Sequence, residues 1–514
     1  MGSICRDCPS GKRDRMAPIA MSALDLGILG LYAISLIAVG VGVARTQGGE
    51  SDFTLGGRKM PTPAVLLSMT ATELSAATFI GVPHAAYTGD WSYLQLAVGA
   101  LLAKAVLARH VIPLYHRLGV VTVYGFLAER FGALAQKSAA IAFLLGRILG
   151  SGARLFIAGL ALAAVTDLSI SWAILAAGLI SGAYTMIGGI RAVIWTDVLQ
   201  AFLLFGGAVA VLAVLAESVP GGLLGLFEWG ADQGRTRILN VEPLFSLSNG
   251  RALGTALVGA FFLTLATHAT DHDMVQRLLT TRTGAAGGQA LLGSALLNFP
   301  LTLLFLLIGT GLAHFYSVPP AYPISDSERI LPLFALHELP DGLRGLLFAG
   351  LFAAAMSSLD SAICALATSW NHDIAAPRES SENPLRRIRM TSLVLTLLLT
   401  ASALAMAQYH FLLVSQGTDL NLVEFALSSM SIVYGGLLGI FALGMTTRER
   451  GSPTSVLIGL IVGGSTGLFL FLQPLIFGST VVGWPWWIPI SAVITFTLAA
   501  AARRVPVLPQ AKPE

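Results

Sequence analysis

Long apolar stretches are the feature that most constrains this chain. A helix that crosses the hydrocarbon core of a bilayer needs about 20 apolar residues, and about thirteen such stretches occur along the 514 residues. They are centred near residues 34, 76, 104, 152, 179, 204, 265, 300, 356, 398, 434, 465 and 494. None shows the alternation of polar and apolar residues that is typical of a membrane β-strand. The sequence therefore predicts an all-α integral membrane protein with about thirteen transmembrane helices.

Charged residues are too scarce for a soluble globular protein. They make up 11% of the chain, whereas soluble domains have about 25%, and the mean hydropathy is +0.75. The sequence has no basic stripe with interleaved aromatic residues, so no nucleic-acid partner is predicted. Cys5 and Cys8 form a C-x-x-C pair in a polar tail, without the second ligand pair that a zinc site needs. Membrane lipid is therefore the expected environment of most of the chain.

Lysine and arginine are concentrated in one alternate set of the loops between the spans. This set contains Arg45, Arg58, Lys59, Arg117, Arg130, Lys137, Arg191, Arg277, Arg282, Arg378, Arg386, Arg387, Arg389, Arg448 and Arg450, and the tail with Arg503, Arg504 and Lys512 follows it. The other loops hold little beyond Arg235, Arg237 and Arg329. Since positive loops stay inside, the sequence predicts a multi-pass protein of the cell membrane with a cytoplasmic C-terminus. Thirteen spans then put the N-terminus outside.

The chain is predicted to form one transmembrane domain over residues 23–503, between two tails. Residues 504–514 form a cytoplasmic tail, and residues 1–22 a flexible N-terminal tail. Met16 and Met21 are alternative starting residues, so the sequence leaves open whether the N-terminal tail is translated.

Polar and ionisable residues interrupt the second and seventh spans. A charged side chain at the centre of the bilayer costs at least about 2.5–3.5 kcal/mol on insertion scales, so such residues indicate a functional site. The second span, LLSMTATELSAATFIGVPHAAY, places Glu73 among serine and threonine residues, whose hydroxyls can replace lost backbone hydrogen bonds. The seventh span, FLTLATHATDHDMVQR, carries His268, Asp271, His272 and Asp273 and is interpreted as the lining of a polar cavity. The alternative for the second span is a kinked helix with satisfied hydroxyls. The alternative for the seventh span is a helix end that already lies outside the lipid.

An intramembrane metalloenzyme is the competing interpretation of the seventh span. His268 and His272 lie four residues apart on one helix face, where both could bind a metal. A zinc protease would have Glu directly after the first histidine, and Ala269 stands there. The sequence therefore argues against this enzyme class.

The ninth span carries a stripe of small polar residues within FAAAMSSLDSA. Ala354, Ser357, Ser358 and Ser361 lie at i, i+3, i+4 and i+7, which is one face of a helix, next to Asp360. Hydroxyl and carbonyl oxygens on one stripe suit a small hard cation. Serines that only hold two helices together are the alternative.

Asp197 is a further carboxylate within a predicted span. It lies early in the sixth span, in GGIRAVIWTDVLQ. It could bind a cation, relay a proton or cap backbone near the membrane interface, and its position does not choose among these roles.

Four of these segments resemble the sodium:solute symporter family. SAATFIGVP, GGIRAVIWTD, TDHDMVQR and FAAAMSSLDSA occur in the family's order at the corresponding spans, and the similarity runs from about residue 53 to about residue 450. The resemblance implies a leucine-transporter-like core of two inverted five-helix repeats, at about 61–217 and 251–448. The interrupted second and seventh spans are then the first helix of each repeat.

The resemblance also implies a sodium site between the second and ninth spans. Its ligands would be the backbone carbonyls of Ala71, Leu74 and Ala354 and the hydroxyls of Ser357 and Ser358. Na⁺ is therefore the expected coupling ion.

A second cation site in some family members would map to four residues here. These are Asp197, Ser357, Asp360 and Ser361. Asp360 is a carboxylate where the family more often has a hydroxyl. The pair of carboxylates would either bind a second sodium strongly or carry a proton.

The solute site that the resemblance implies lies beside the sodium site. Its candidate residues are Glu73, Ser75, Thr78, Arg147, Arg154, Thr267, Asp271 and Glu424. Arg147 and Arg154 are seven residues apart on the fourth span and face the same way. Together they would suit a carboxylate, which favours an organic acid as the solute. The equally weighted alternative is that these arginines pair internally with Glu73 or Asp271.

The expected function is therefore secondary active symport, and not enzymatic catalysis. Inward sodium flow would drive uptake of a small organic solute such as a sugar, an amino acid or an organic acid, by alternating access. A proton-coupled symporter on the same fold and a solute sensor that transports nothing are the alternatives.

Overall fold

The protein is helical throughout the part of the chain that its computed structural model describes. That part comprises residues 21–46, 48–165, 168–317, 330–375, 383–415 and 422–503, and no β-sheet occurs within it. The predicted N-terminal tail lies almost entirely outside these ranges, and the tail 504–514 lies wholly outside them. The helices are α1 (Ala23–Ala44), α2 (Glu50–Leu55), α3 (Thr62–Glu73), α4 (Ala76–Thr88), α5 (Leu94–Val106), α6 (Ile112–Leu118), α7 (Tyr124–Phe131), α8 (Ala133–Val165), α9 (Ile170–Glu217), α10 (Gly222–Asp232), α11 (Leu253–Ala269), α12 (His272–Leu279), α13 (Gly284–Ser317), α14 (Ile330–Glu338), α15 (Leu343–Ser369), α16 (Pro384–Ser415), α17 (Leu422–Thr446), α18 (Pro453–Phe477) and α19 (Trp487–Ala500).

Nine spans in the described ranges are long and apolar enough to cross a bilayer as single segments. Two bent pairs, α3 with α4 and α11 with α12, raise the number to eleven if each pair is one span. Shorter apolar helices occur at Ile170–Ala183 and Trp484–Ala500. Many apolar membrane helices are therefore present, and the count of thirteen stays a prediction.

The predicted fifth and sixth spans form the single long helix α9. The helix is interrupted at Gly189, whose backbone angles of φ 58° and ψ −162° are not helical. This region of backbone space is essentially restricted to glycine. The chain therefore changes direction at Gly189, and Asp197 lies two turns beyond this point.

Helix α15 lies at the centre of the molecule. It is the most buried of the nine long spans, because 83% of the residues in its most apolar segment lie inside the protein. Small residues allow the close approach to α9: a Cβ on Gly350 would lie 3.0 Å from the carbonyl oxygen of Leu203. The serine stripe is therefore held inside the protein, away from lipid.

Helix α1 is attached to the start of α15 by a buried carboxylate. Asp25 is 0% exposed, and its Oδ1 accepts hydrogen bonds of 2.8 Å from the backbone N–H groups of Gly342 and Gly345. The first turn of a helix leaves such N–H groups without partners in the helix itself. Asp25 therefore caps α15 from another helix.

Candidate functional site

The centre of the candidate site is the break between α3 and α4. Helix α3 ends at Glu73, and Leu74 has non-helical angles of φ −83° and ψ 70° before α4 begins at Ala76. The two halves of the span are bent by 56°. Backbone carbonyls at the end of α3, including that of Ala71, therefore lose their partners within the helix.

Serines of α15 contact these carbonyls. Ser357 Oγ lies 3.2 Å from the carbonyl oxygen of Ala71 and 3.2 Å from that of Ala354. Ser358 Oγ donates to the carbonyl of Thr72 over 3.3 Å. All five residues are at most 1% exposed. The structure thus brings together, at the break, oxygens of the two helices from which the first sodium site is predicted.

Asp197 of the predicted second cation site forms an ion pair with Arg277 of α12. Arg277 Nη2 lies 3.2 Å from Asp197 Oδ2, and Nη1 lies 2.8 Å from Asp273 Oδ1. Nη2 also contacts the hydroxyl of Thr72 at 2.6 Å and the carbonyl of Ser357 at 3.4 Å. A guanidinium therefore bridges two groups of the predicted site, Asp197 and Ser357. The second oxygen of Asp197 is buried and has no hydrogen-bond partner.

Asp360 and Ser361, the other members of that set, have different contacts. Asp360 is 0% exposed and accepts a hydrogen bond from Ser181 of α9. Ser361 Oγ donates to the carbonyl of Ser357 over 2.9 Å. All members of the set lie on α9 and α15, and the two carboxylates accept hydrogen bonds from different helices.

Arg147 of α8 lies in an internal ion-pair network. Its guanidinium contacts Asp271 at 2.9 Å and also pairs with Asp273. Tyr434 of α17 donates to Asp271 as well. Arg147 is 1% exposed and both aspartates are 0% exposed. Its charge is therefore neutralised within the protein, and the pairing with Asp271 is the one that the alternative interpretation of the sequence proposes.

Arg154, two turns along the same helix, differs from Arg147. Its Nη2 contacts the sulfur of Met430 at 3.2 Å, while Nη1 is buried and has no hydrogen-bond partner. No carboxylate forms an ion pair with Arg154 in the described ranges. In the described ranges Arg147 therefore has two carboxylate partners and Arg154 has none.

Glu73 is the centre of a polar cluster from four helices. Lys104 Nζ of α5 lies 2.5 Å from its Oε2, and His268 Nε2 of α11 lies 3.1 Å from its Oε1. Ser294 and Asn298 of α13 also donate to this carboxylate. The Glu73 side chain is 15% exposed and that of Lys104 only 2%. The partner of Glu73 is thus a lysine, and neither of the two predicted arginines.

The remaining solute candidates lie around the two bent spans. Ser75 precedes the first residue of α4 and is 5% exposed, and Thr78 is partly buried on the first turn. Thr267 Oγ1 donates to the carbonyl of Leu263 over 2.9 Å. Glu424 lies on α17, but its side chain is outside the described part.

Two important residues were not recognised as site residues from the sequence. The sequence places Arg277 among the loop arginines, but in the structure it is 0% exposed and pairs with Asp197. Lys104 lies within the apolar third span, in the stretch LQLAVGALLAKAV, where the neighbouring residues are apolar. Its position at the centre of that span, where a charge is costly, was the available signal.

Comparisons with known proteins agree on one kind of molecule. The sequence model of the sodium:solute symporter family matches residues 53–462. The sodium/sialic acid symporter NanT of Aliivibrio fischeri is 28% identical over 88% of this chain and 89% of that protein. The human sodium-coupled monocarboxylate transporter 1 is 28% identical over 86% of this chain and 72% of that protein. A solved, substrate-bound, outward-open structure of a Na⁺-coupled sialic acid symporter superimposes with a TM-score of 0.81. It is 25% identical and covers 93% of this chain and 97% of that one.

Proposed function

Since the chain belongs to the sodium:solute symporter family, it is a sodium-coupled membrane transporter, and we propose that its solute is an organic acid anion. Arg154 is the observation that carries this proposal. It is the guanidinium of α8 that has no carboxylate partner in the described ranges, and one of its nitrogens is buried without a hydrogen bond. Leaving such a group buried without a partner is costly, and a solute carboxylate would remove the cost. The two relatives compared above carry sialic acid and monocarboxylates, which are both acids.

Glu73 and Lys104 contribute a different property to the proposed solute site. Lys104 Nζ and Glu73 Oε2 lie 2.5 Å apart and neutralise each other. This side of the proposed site therefore offers hydrogen bonds without a net charge. It suits the hydroxyl or amide groups of a solute better than a second carboxylate. The proposed solute therefore carries one carboxylate, bound by Arg154, and an uncharged polar part.

The first coupling sodium is proposed to bind between α15 and the break that separates α3 from α4. Its ligands are the carbonyls of Ala71, Leu74 and Ala354 and the hydroxyls of Ser357 and Ser358. The carbonyl oxygens of Ala71 and Ala354, which both lie 3.2 Å from the hydroxyl oxygen of Ser357, support this assignment. Because the ligands come from two helices, bound sodium would join α3 to α15 and stabilise a solute-ready form. The membrane potential would contribute roughly 2.3 kcal/mol per charge per 100 mV to its entry.

The sodium assignment is tested by thermal stability of the purified protein in sodium chloride against choline chloride. We expect a sodium-specific rise in Tm that Ser358→Ala loses. Ser392→Ala is the matched control, because Ser392 is equally buried but lies on α16 and donates within its own helix. An equal sodium response in both variants would show that Ser358 is not a ligand.

The solute assignment is tested by uptake into proteoliposomes with a sodium gradient. We expect Arg154→Gln to lower uptake of a sialic acid or a short monocarboxylate roughly tenfold or more, since a hydrogen bond to a charged group contributes about 1.5–3 kcal/mol. Arg154→Lys keeps the charge and should retain part of the activity. Amide analogues of the same solutes should not distinguish Arg154→Gln from wild type. Unchanged uptake in Arg154→Gln would show that Arg154 does not bind the solute.

A second cation is proposed at Asp197, Asp360 and Ser361. The two buried carboxylates support it, because Arg277, the ion-pair partner of Asp197, is shared with Asp273. Asp360→Asn should make the sodium dependence of uptake less steep if the cation is sodium. If uptake instead follows a pH gradient and loses that dependence in the variant, the cation is a proton.

A further inference from the structure

A groove of about 530 Å³ lies on the outer surface of the protein, where the end of α15 meets the first half of α16. Its lining includes Trp370, Arg386, Arg387, Met390, Val394 and Leu398. Trp370 belongs to the short π-helical turn that continues α15. The groove lies outside the solute and sodium sites, so an occupant has to come from the surroundings of the protein.

Two arginines line one end of the groove. Arg386 and Arg387 lie in the first turn of α16, which contains no acidic residue. The start of a helix carries a partial positive charge of its own and normally favours acidic side chains. In the described ranges neither arginine forms an ion pair, and the Nε–H group of Arg387 is buried without a hydrogen-bond partner. An anion at this end would therefore be stabilised by two guanidinium groups and by the helix.

The rest of the groove is mostly apolar, and its apolar side chains are exposed on the protein surface. Met390, Val394 and Leu398 follow one face of α16 and are 53%, 54% and 50% exposed. From Met390 to Leu398 this face is about 12 Å long at 1.5 Å per residue. Trp370, which is 42% exposed, is of the residue type that lies at headgroup depth in membranes. The polar end and the apolar face thus match the headgroup and the acyl chain of a lipid.

We propose that this groove is a binding site for an anionic phospholipid. The phosphate of the lipid contacts Arg386 and Arg387, and one acyl chain lies along Met390, Val394 and Leu398. Basic pockets between membrane helices are a known way to hold such headgroups. A zwitterionic lipid fits the site less well, because its own cation would meet the two arginines.

The test is lipid retention and thermal stability after reconstitution in two kinds of nanodisc, one of phosphatidylcholine alone and one that also contains phosphatidylglycerol. Native mass spectrometry counts the lipids retained on the released protein. We expect wild type to retain phosphatidylglycerol selectively and to gain in Tm. The double variant Arg386→Gln/Arg387→Gln should lose both effects. The double variant Arg448→Gln/Arg450→Gln removes the same charge from exposed positions outside the groove and should keep both.

Two further arms separate a lipid site from a simple anion site. Val394→Trp fills the apolar part without changing any charge, and it should reduce retention while leaving the arginines in place. Inorganic phosphate alone should give no comparable rise in Tm. The proposal is overturned if both arginine variants lose retention equally, if Val394→Trp retains the lipid as wild type does, or if phosphate reproduces the stabilisation. None of these results depends on the identity of the transported solute.

Discussion

At the scale of single residues, the contrast between Arg147 and Arg154 carries most of the functional argument. They have the same side chain and lie on the same helix. Arg147 pairs with Asp271 and Asp273, whereas Arg154 contacts a methionine sulfur. Removing one member of a buried ion pair leaves the other charge without compensation. The two arginines are therefore expected to respond differently to the same substitution.

Arg147→Gln should destabilise the protein by about 3–5 kcal/mol, because the buried Asp271 loses its arginine partner and Asp273 keeps only Arg277. Arg154→Gln removes a buried cation that has no partner and should leave the stability unchanged or raise it. Both are measured by thermal unfolding of the solute-free protein in the same detergent. Equal losses of stability would contradict the proposed division between a structural and a solute-binding arginine.

At the scale of elements, the two abrupt breaks in the helices position the site. The bend between α3 and α4 frees the carbonyls that the serines of α15 contact. The turn at Gly189 separates two parts of one long helix: Ser181 donates to Asp360 of α15, and Asp197 pairs with Arg277 of α12. Polar runs in the sequence predicted the first break. The second lies close to the boundary predicted between the fifth and sixth spans, where Arg191 is expected in a loop and the structure instead has a turn at Gly189.

Gly189→Ala should destabilise the protein by at least about 1–3 kcal/mol, because alanine is strained in this backbone conformation. A Cβ at this position would also lie 2.7 Å from the carbonyl oxygen of Phe53. Gly206→Ala is the control on the same helix: its Cβ would meet nothing within 4 Å, and alanine favours a helix by roughly 0.5–1 kcal/mol. Thermal unfolding of both variants checks the pair. A tolerated Gly189→Ala would show that the turn is not required.

At the scale of the whole molecule, the match to a solved sodium-coupled symporter confirms the predicted all-α, leucine-transporter-like membrane fold. The membrane location is likewise shown by the family to which the chain belongs. Orientation is a separate proposal, which is supported by the distribution of lysine and arginine in the loops. Arg277 no longer supports it, because this residue is buried in the site. The other basic loops still favour a cytoplasmic C-terminus and an N-terminus outside.

A green fluorescent protein fused after Glu514 should therefore fluoresce in a bacterial host, and alkaline phosphatase at the same position should be inactive. The opposite pattern is expected for fusions truncated after Asn240, between α10 and α11. Fluorescence of the Asn240 fusion together with an active phosphatase at Glu514 would reverse the orientation.

The sequence by itself determined that this is a helical membrane protein, which spans carry polar residues, and where a stripe of serines could meet a cation. These properties depend on composition and on periodicity within one helix, so they can be recognised along the chain. Only the tertiary structure decided which charges cancel. Lys104 forms an ion pair with Glu73, and Arg277 forms one with Asp197. One buried guanidinium nitrogen of Arg154 has no hydrogen-bond partner. These pairings join residues that are distant in sequence. The free-energy cost of a buried charge depends on the oppositely charged groups that packing places beside it, so it cannot be derived from the sequence alone.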